Sequence, residues 1–421
     1  MFENATETLT WLTSILAVDK AEAIFVHGDG RKIISTKACL STNSFRWIWL
    51  RDGRSYIFPG KRDFRHNDYL KLYNPQTLGG RMLKYILEIA IFLDIRFPYV
   101  KQLHLVVTNI TGGNQASDYL LTEYLKKVLG RKDLLFAFSC GTPGPQRKPV
   151  ISIIDNSGRA LAYTKIGWND YTNSLVRNEH EVLDMLNQRH VFRTLKFPSV
   201  IWFGSWNAKS VLVTRPGGEA GRKPRGLEPN ILAALIEIGK VKSENQIFGQ
   251  SYFAQKVKVR LMNLKPLDPL TAGQIDQLRE AFDFLMLRLS GISLPFGWKH
   301  GDFSSWNMWI KDNHVFLIDW ERAENDTVLA WDLFYFLLEG RGSHRVLSSL
   351  RGLEPGRQAE QYFQAFDINT LLYWPLIAVF LVDIIAFYWQ TNVETGSLRA
   401  GQIKWFYSRL ELLKAIIGKV I

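Results

Sequence analysis

The sequence predicts an α+β protein of two lobes, a small antiparallel β-sheet with one helix followed by a mainly helical half. Three observations lead there. Residues 134–215 read as strand, strand, strand, helix, strand, strand, whereas nearly every periodic segment after residue 229 is helical. Between the two lies PGGEAGRKPRGLEP (216–229), a basic stretch rich in Gly and Pro that reads as a linker. At 421 residues the chain is long enough for two or three domains.

The elements follow in order. FRWIWLRDGRSYIF (45–58) reads as two short strands around Asp52-Gly53, a hairpin signal. A helix is expected over 78–94, closed by Pro98, and LHLVVTN (103–109) reads as a strand. SDYLLTEYLKKVLG (117–130) reads as a helix with Ser117 as its cap and Gly130 as its stop. Residues 1–116 thus form an extra N-terminal α/β region with no assigned role. The sheet lobe is expected over 117–215, with strands at 134–139, 149–155, 160–167, 199–206 and 210–215 and a helix at 175–188. The helical lobe is expected over 230–421, with helices at 230–239, 272–290, 327–339, 357–367, 371–389 and 399–419.

Composition narrows the class. Hydrophobic residues make up 47% of the chain and aromatics 13%, enough apolar material to argue against long disorder. A formal charge of +12 favours anionic partners, but no nucleic-acid-binding motif accompanies it, so no nucleic acid is expected. The two cysteines, Cys39 and Cys140, form no CxxC and sit in no His/Cys cluster, which argues against a disulfide framework or structural zinc and for a reducing cytoplasm. The N-terminus is acidic around its short apolar run, unlike a secretory signal.

Two segments pose a membrane question. LLYWPLIAVFLVDIIAFYW (371–389) is long enough to span a bilayer but holds Pro375 and Asp383. A central Asp costs about 2.5–3.5 kcal/mol on insertion scales, so a buried helix is the better reading. QIKWFYSRLELLKAIIGKVI (402–421) is amphipathic and basic. It reads as a helix packed on the body with its lysines outward, peripheral membrane contact being the other reading.

The chemistry concentrates in KHGDFSSWNMWI (299–310) and FLIDWERA (316–323). Asp302 and Asn307 are five residues apart, and Asp319 lies twelve beyond Asn307, past the strand-like HVFLI. A turn followed by a hairpin would bring Asn307 and Asp319 side by side. An amide carbonyl and a carboxylate suit Mg²⁺, which takes few protein oxygens and fills its shell with phosphate and water. Asp302 would face the same space, placed to accept a proton from an attacking hydroxyl.

In the sheet lobe, CGTPGP places Gly141 and Gly144 between two strands, consistent with a phosphate-binding loop or an ordinary turn. Lys165 lies on a strand among apolar neighbours and needs an anionic partner; Glu179, on the helix that follows, is the expected one. His300 reads as a brace for its loop, with a proton shuttle as the alternative. Glu321 reads either as a metal contact through water or as a solvent-facing group. Arg222, Lys223 and Arg225 read as a solvated linker face that, if functional, would attract an anionic acceptor.

HGDFSSWN followed by LIDWERA resembles the signature of the aminoglycoside phosphotransferase and choline kinase superfamily, which has a protein-kinase-like fold. The resemblance covers about residues 117–390 and implies an ATP- and Mg²⁺-dependent kinase. It implies that Asp302 is the catalytic base, that Asn307 and Asp319 are the metal ligands, and that Lys165 with Glu179 orders the α- and β-phosphates. It sets Gly141, Thr142 and Gly144 in the nucleotide loop, Thr214 and Arg215 at the strand that holds adenine through its backbone, and His300 and Asp332 in support of the catalytic loop. Ser305 departs from the family, where Pro or Gly is common. A cationic antibiotic suits the basic Lys404, Arg409, Lys414 and Lys419 poorly, so the expected acceptor is a neutral or anionic hydroxyl compound, such as a sugar or a glycan- or lipid-linked intermediate. The alternative is a catalytically weak pseudokinase or assembly module of polysaccharide biosynthesis, although no catalytic position is degraded.

Overall fold

The computed structural model describes residues 2–17, 21–27, 39–50, 54–60, 66–73, 75, 78–92, 100–110, 120–141, 146–189, 192–217, 221–339, 354–393, 398 and 400–420. The chain divides into two compact units, Met1–Met185 with Pro198–Glu219, and Leu186–Phe197 with Ala220–Ile421.

The first unit is built on one antiparallel sheet of nine strands. These are β1 (Ala21–His27), β2 (Cys39–Trp49), β3 (Ser55–Pro59), β4 (Val100–Ile110), β5 (Leu135–Ser139), β6 (Val150–Ile154), β7 (Ala160–Ile166), β9 (Val200–Trp206) and β10 (Lys209–Thr214), with β8 (Leu195–Lys196) belonging to the second unit. Their order is β1-β4-β2-β3-β5-β6-β7-β10-β9. The five strands expected after residue 134 are all present, but the sheet does not stop with them. Tyr56 and Ile57 of β3 pair with Ser139 and Phe138 of β5, so strands before and after residue 117 share one sheet. The sequence reading separated them because the alternation that buries both faces says nothing about which strands are neighbours.

That alternation divides the core. Trp47, Ile57, Phe138, Ile151 and Val211 pack with Leu9, Leu12 and Leu16 of α1 (Phe2–Leu16) and Leu121 and Leu125 of a short helix. Ile48, Tyr56, Phe58 and Ile154, one position along the same strands, pack instead with Leu87 of α2 (Leu78–Phe92) and with Tyr69 and Leu70. The short helix is α3 (Leu121–Val128), and Gly130 beyond it has φ +65°, as its expected stop requires. Ser117, Asp52 and Gly53 lie outside the described residues, as do Thr142 and Gly144. The hairpin itself stands, with Leu50 N–H donating to Arg54 O at 2.9 Å. Helix α4 (Asp170–Arg189) begins five residues earlier than 175, because Asn169 caps it by accepting Thr172 N–H on Oδ1 at 2.8 Å.

The second unit is mainly helical: α5 (Pro229–Gly239), α6 (Tyr252–Met262), α7 (Ala272–Leu289), α8 (Trp331–Leu338), α9 (Arg357–Ala365), α10 (Tyr373–Val393) and α11 (Ala400–Val420). Two small sheets interrupt them. One is β11 (Ser243–Ile247), β12 (Ser293–Lys299) and β15 (Glu324–Val328); the other joins β13 (Met308–Lys311), β14 (His314–Leu317) and β8 (Leu195–Lys196). The expected helix at 327–339 starts only at Trp331, because residues 324–328 extend to pair with β12.

Helix α10 is long and apolar enough to cross a membrane, yet 67% of its most apolar window is buried inside the protein. Its Asp383 forms an ion pair with Arg260 and accepts Trp331 Nε1–H at 2.9 Å. A paired carboxylate inside a packed helix agrees with the buried-helix reading. On α11, Lys404, Lys414 and Lys419 are exposed, as expected. Arg409 is not part of that basic face: it is buried and bridges Glu339 at 2.5 Å. A helical moment places a face but not a single Arg that finds a buried carboxylate.

Candidate active site

The second unit builds its polar cluster on the turn after β12. Lys299 ends the strand, and the chain reverses at Gly301 with φ +81°. A Cβ there would collide with the carbonyl of Arg322, so backbone conformation and close approach both require glycine. Asp332, in the first turn of α8, accepts the N–H groups of His300 (2.5 Å) and Gly301 (3.0 Å). Burial pushes the Asp332 carboxyl up to about 6, although those two hydrogen bonds favour its charged form. Asp332→Ala would orphan both donors in a closed interior and is expected to cost about 2–4 kcal/mol of stability, read as a lower urea midpoint at unchanged slope.

His300 is fully buried. Its Nε2 lies 3.0 Å from Ile318 O, and its Nδ1 accepts Asp302 N–H at 3.2 Å, which assigns the neutral Nε2–H tautomer from its partners. The ring packs edge-on against Trp320 with centroids 4.7 Å apart. A histidine engaged at both nitrogens ties the Asp302 turn to the segment that precedes Asp319.

Met308 pairs with Leu317 in the β13–β14 hairpin, so Asn307 and Ile318 leave its open end together, and Ile318 N–H donates to Asn307 O at 2.9 Å. Asn307 Nδ2 donates to Asp302 O at 3.1 Å, which commits its nitrogen end. Asp319 follows in the left-handed region, φ 73° and ψ 52°. That conformation is uncommon for a residue other than glycine, and such strain gathers at functional sites.

Asp302 Oδ1 is buried and has no hydrogen-bond partner. Burial, and then the Asp319 carboxylate, push the Asp302 carboxyl up to about 7 against the pull of Arg322 and of hydrogen bonds from Tyr335 and Asn307. Nothing in the sequence pattern singles out Arg322 or Tyr335. Both belong to a small group in which Arg322 Nη1 and Tyr335 Oη each lie 3.4 Å from Tyr388 Oη. Tyr335 and Tyr388 come from helices α8 and α10, and nothing in a single apolar helix pattern marks which tyrosine faces a carboxylate. Beside the turn, Lys256 and Lys299 flank Glu324 at 2.5 Å and 3.5 Å. Burial would raise that carboxyl, but the two ammonium groups hold it down to about 2.

In the first unit, Lys165 Nζ meets Glu179 Oε2 at 2.6 Å, with Glu179 buried, so strand β7 and helix α4 form the expected ion pair. Gly141 has φ +64°, a glycine conformation at the start of the loop. Thr214 ends β10, and Arg215 N–H donates to Ser199 O at 2.9 Å, so that N–H is already engaged within the sheet.

Residues 169–374 match the model of the phosphotransferase enzyme family, APH. The α+β class expected from the sequence is the one observed, an antiparallel sheet in one unit and a mainly helical second unit. No curated protein sequence matches the chain. Among solved structures, the apo form of a thermostable mutant of aminoglycoside phosphotransferase APH(4)-Ia is 16% identical over 70% of this chain and 98% of its own, with a TM-score of 0.47. Choline kinase LicA from Streptococcus pneumoniae is 14% identical over 71% of this chain and 99% of its own, with a TM-score of 0.46. Amicoumacin kinase hAmiN, in complex with AMP-PNP, Ca²⁺ and Ami, is 12% identical over 71% of this chain and 95% of its own, with a TM-score of 0.45.

Proposed function

We propose that the protein is an ATP- and Mg²⁺-dependent phosphotransferase that moves the γ-phosphoryl group to a hydroxyl of a neutral or anionic acceptor, such as a sugar or a glycan- or lipid-linked intermediate. The observation that carries this reading is the Asp302, Asn307 and Asp319 group. A buried carboxylate oxygen of Asp302 has no partner, its side chain feels the Asp319 carboxylate and Asn307 bonds to its backbone, and Asp319 sits in a left-handed backbone conformation.

The donor set fits a hard divalent cation, since Asn307 and Asp319 both offer oxygen. When bound, Mg²⁺ would neutralise charge on the phosphate oxygens. Asp302, deprotonated, would take the proton of the acceptor hydroxyl; that oxygen forms the new bond to phosphorus as the bond to the bridging oxygen of ADP breaks. Lys165, held by Glu179, would order the α- and β-phosphates. Backbone N–H groups of Gly141, Thr142 and Gly144 would approach the phosphates, and Thr214 and Arg215 would hold the base through backbone groups other than the Arg215 N–H, which bonds to Ser199 O. His300 and Asp332 fix the turn from which Asp302 projects.

A net charge of +12 and the exposed Lys404, Lys414 and Lys419 support a neutral or anionic acceptor, with Arg409 no longer counting toward it. Use of ATP and the buried free thiol of Cys140 fit a cytoplasmic protein, and no nucleic acid is expected as a partner. The test is an ADP-release screen with Mg-ATP over sugars, amino alcohols and glycan precursors. Acceptor-stimulated, Mg²⁺-dependent release supports the reading; absence of both dependences with every acceptor refutes it. A second expectation concerns pH. With an Asp302 carboxyl near 7 that must be ionised to act, log kcat/KM should rise with unit slope at acid pH and level off above about 7.

A further inference from the structure

Arg222 and Arg225 are exposed, as the composition of the linker suggests, but Lys223 between them is not. Arg222 and Ile310 exchange both backbone hydrogen bonds, at 2.8 and 3.0 Å, so the linker meets β13 in a single antiparallel bridge. Arg222 then bridges Glu228, while Lys223 turns inward. Its Nζ donates to Trp306 O at 2.8 Å and to Met308 O at 3.1 Å, and it lies 3.4 Å from the centroid of the Trp309 ring.

Those two carbonyls flank Asn307. Among the described residues no carboxylate pairs with Lys223, and its burial pulls the ammonium down to about 7. A linker lysine held at that cost, against two carbonyls and an aromatic face, has the geometry of a clamp. Asn307 N–H donates to Ser304 O at 3.0 Å and its carbonyl accepts Ile318 N–H at 2.9 Å. With Lys223 in place, the peptide groups before, at and after Asn307 are all tied down.

We propose that Lys223 is a positioning residue for the divalent-cation site, fixing the Asn307 amide by holding the carbonyls on either side of it. The inference rests on the reading of Asn307 as a metal ligand given above. Groups that orient a ligand without touching the ion are typically worth about 10–100-fold in metal affinity. Lys223→Met keeps the aliphatic stem over Trp309 and removes the ammonium. Lys223→Arg keeps the charge but replaces a compact three-donor group with a planar fork.

The probe is Mn²⁺, followed by loss of the free-ion electron paramagnetic resonance signal in the presence of ADP, with ADP affinity measured separately in EDTA. Lys223→Met is expected to weaken Mn²⁺ binding about 10–100-fold and to leave metal-free ADP affinity unchanged, with Lys223→Arg falling between it and wild type. A general loss of structure would move both affinities together. Should Lys223→Met fail to fold, Lys223→Arg decides, since Mn²⁺ affinity equal to wild type would overturn the clamp. Wild type and Lys223→Met binding Mn²⁺ equally would overturn this inference alone. A wild type that takes up no Mn²⁺ with ADP would overturn the metal-site reading and the clamp with it.

Discussion

Replacing Asp302 with Asn is expected to lower kcat by about 10²–10⁴-fold, the usual worth of a positioned general base, while making the protein more stable to heat. The two effects have one cause. The Asp302 carboxyl is pushed up to about 7 by burial and by Asp319, well above the ordinary carboxylate range, and its Oδ1 has no partner. A carboxyl whose pKa is raised on folding binds its proton more tightly in the folded chain. Stability is therefore lost as pH rises from about 4, the unfolded value, through about 7. Asn carries no charge at that place, so at pH 8 in metal-free buffer Asp302→Asn should be more stable by about 1–3 kcal/mol, and the gain should vanish near pH 4. Thermal unfolding of both proteins at pH 4 and pH 8 checks the sign. Equal melting temperatures at pH 8 would mean that Asp302 is not a strained carboxylate.

Asp319→Asn is expected to lower kcat on the order of 10³-fold, the several kcal/mol that a bound cation supplies to phosphoryl transfer, and to raise the Mg²⁺ concentration needed for half-maximal rate. Asn is the informative substitution because it tolerates the left-handed backbone that Asp319 adopts, φ 73° and ψ 52°. Asp319→Ala would add about 1–2 kcal/mol of backbone strain and so confuse loss of a ligand with loss of fold. Removing the Asp319 charge also takes away one of the two causes that raise Asp302, so the acid limb of kcat/KM should move to lower pH in Asp319→Asn. A rate and Mg²⁺ dependence unchanged from wild type would remove Asp319 from the metal site.

The parts of this architecture that were legible in the sequence are those in which local pattern and global position coincide. Strands β5, β6, β7, β9 and β10 are short β-rich runs set off by turn residues, and their order with helix α4 between them is legible from that. The Asn307 to Asp319 spacing is legible because one tight hairpin joins the two residues. Strand β11 was missed because SENQI has no apolar face; it is exposed at its first three positions and exists through pairing with β12. Helix α6, YFAQKVKVRLM, alternates as much like a strand as a helix, and buries Phe253, Val257 and Leu261 only in context. The joining of β3 to β5 rests on a pairing across some eighty residues that no local signal announces. Lys223 was misread for a related reason: its partners, Trp306 and Met308, lie 83 and 85 residues away, and a basic Gly/Pro stretch looks solvated until those partners are known.

The central claim is that Asp302 drives transfer of the γ-phosphoryl group to a hydroxyl with a cation held by Asn307 and Asp319. Its most direct test follows label from γ-³²P-ATP into acceptor, with and without Mg²⁺, for wild type and Asp302→Asn. The account predicts Mg²⁺-dependent labelling of a hydroxyl compound by wild type and a loss of about 10²–10⁴-fold in Asp302→Asn. Equal labelling by both proteins, or labelling by wild type that survives removal of the metal, would contradict it.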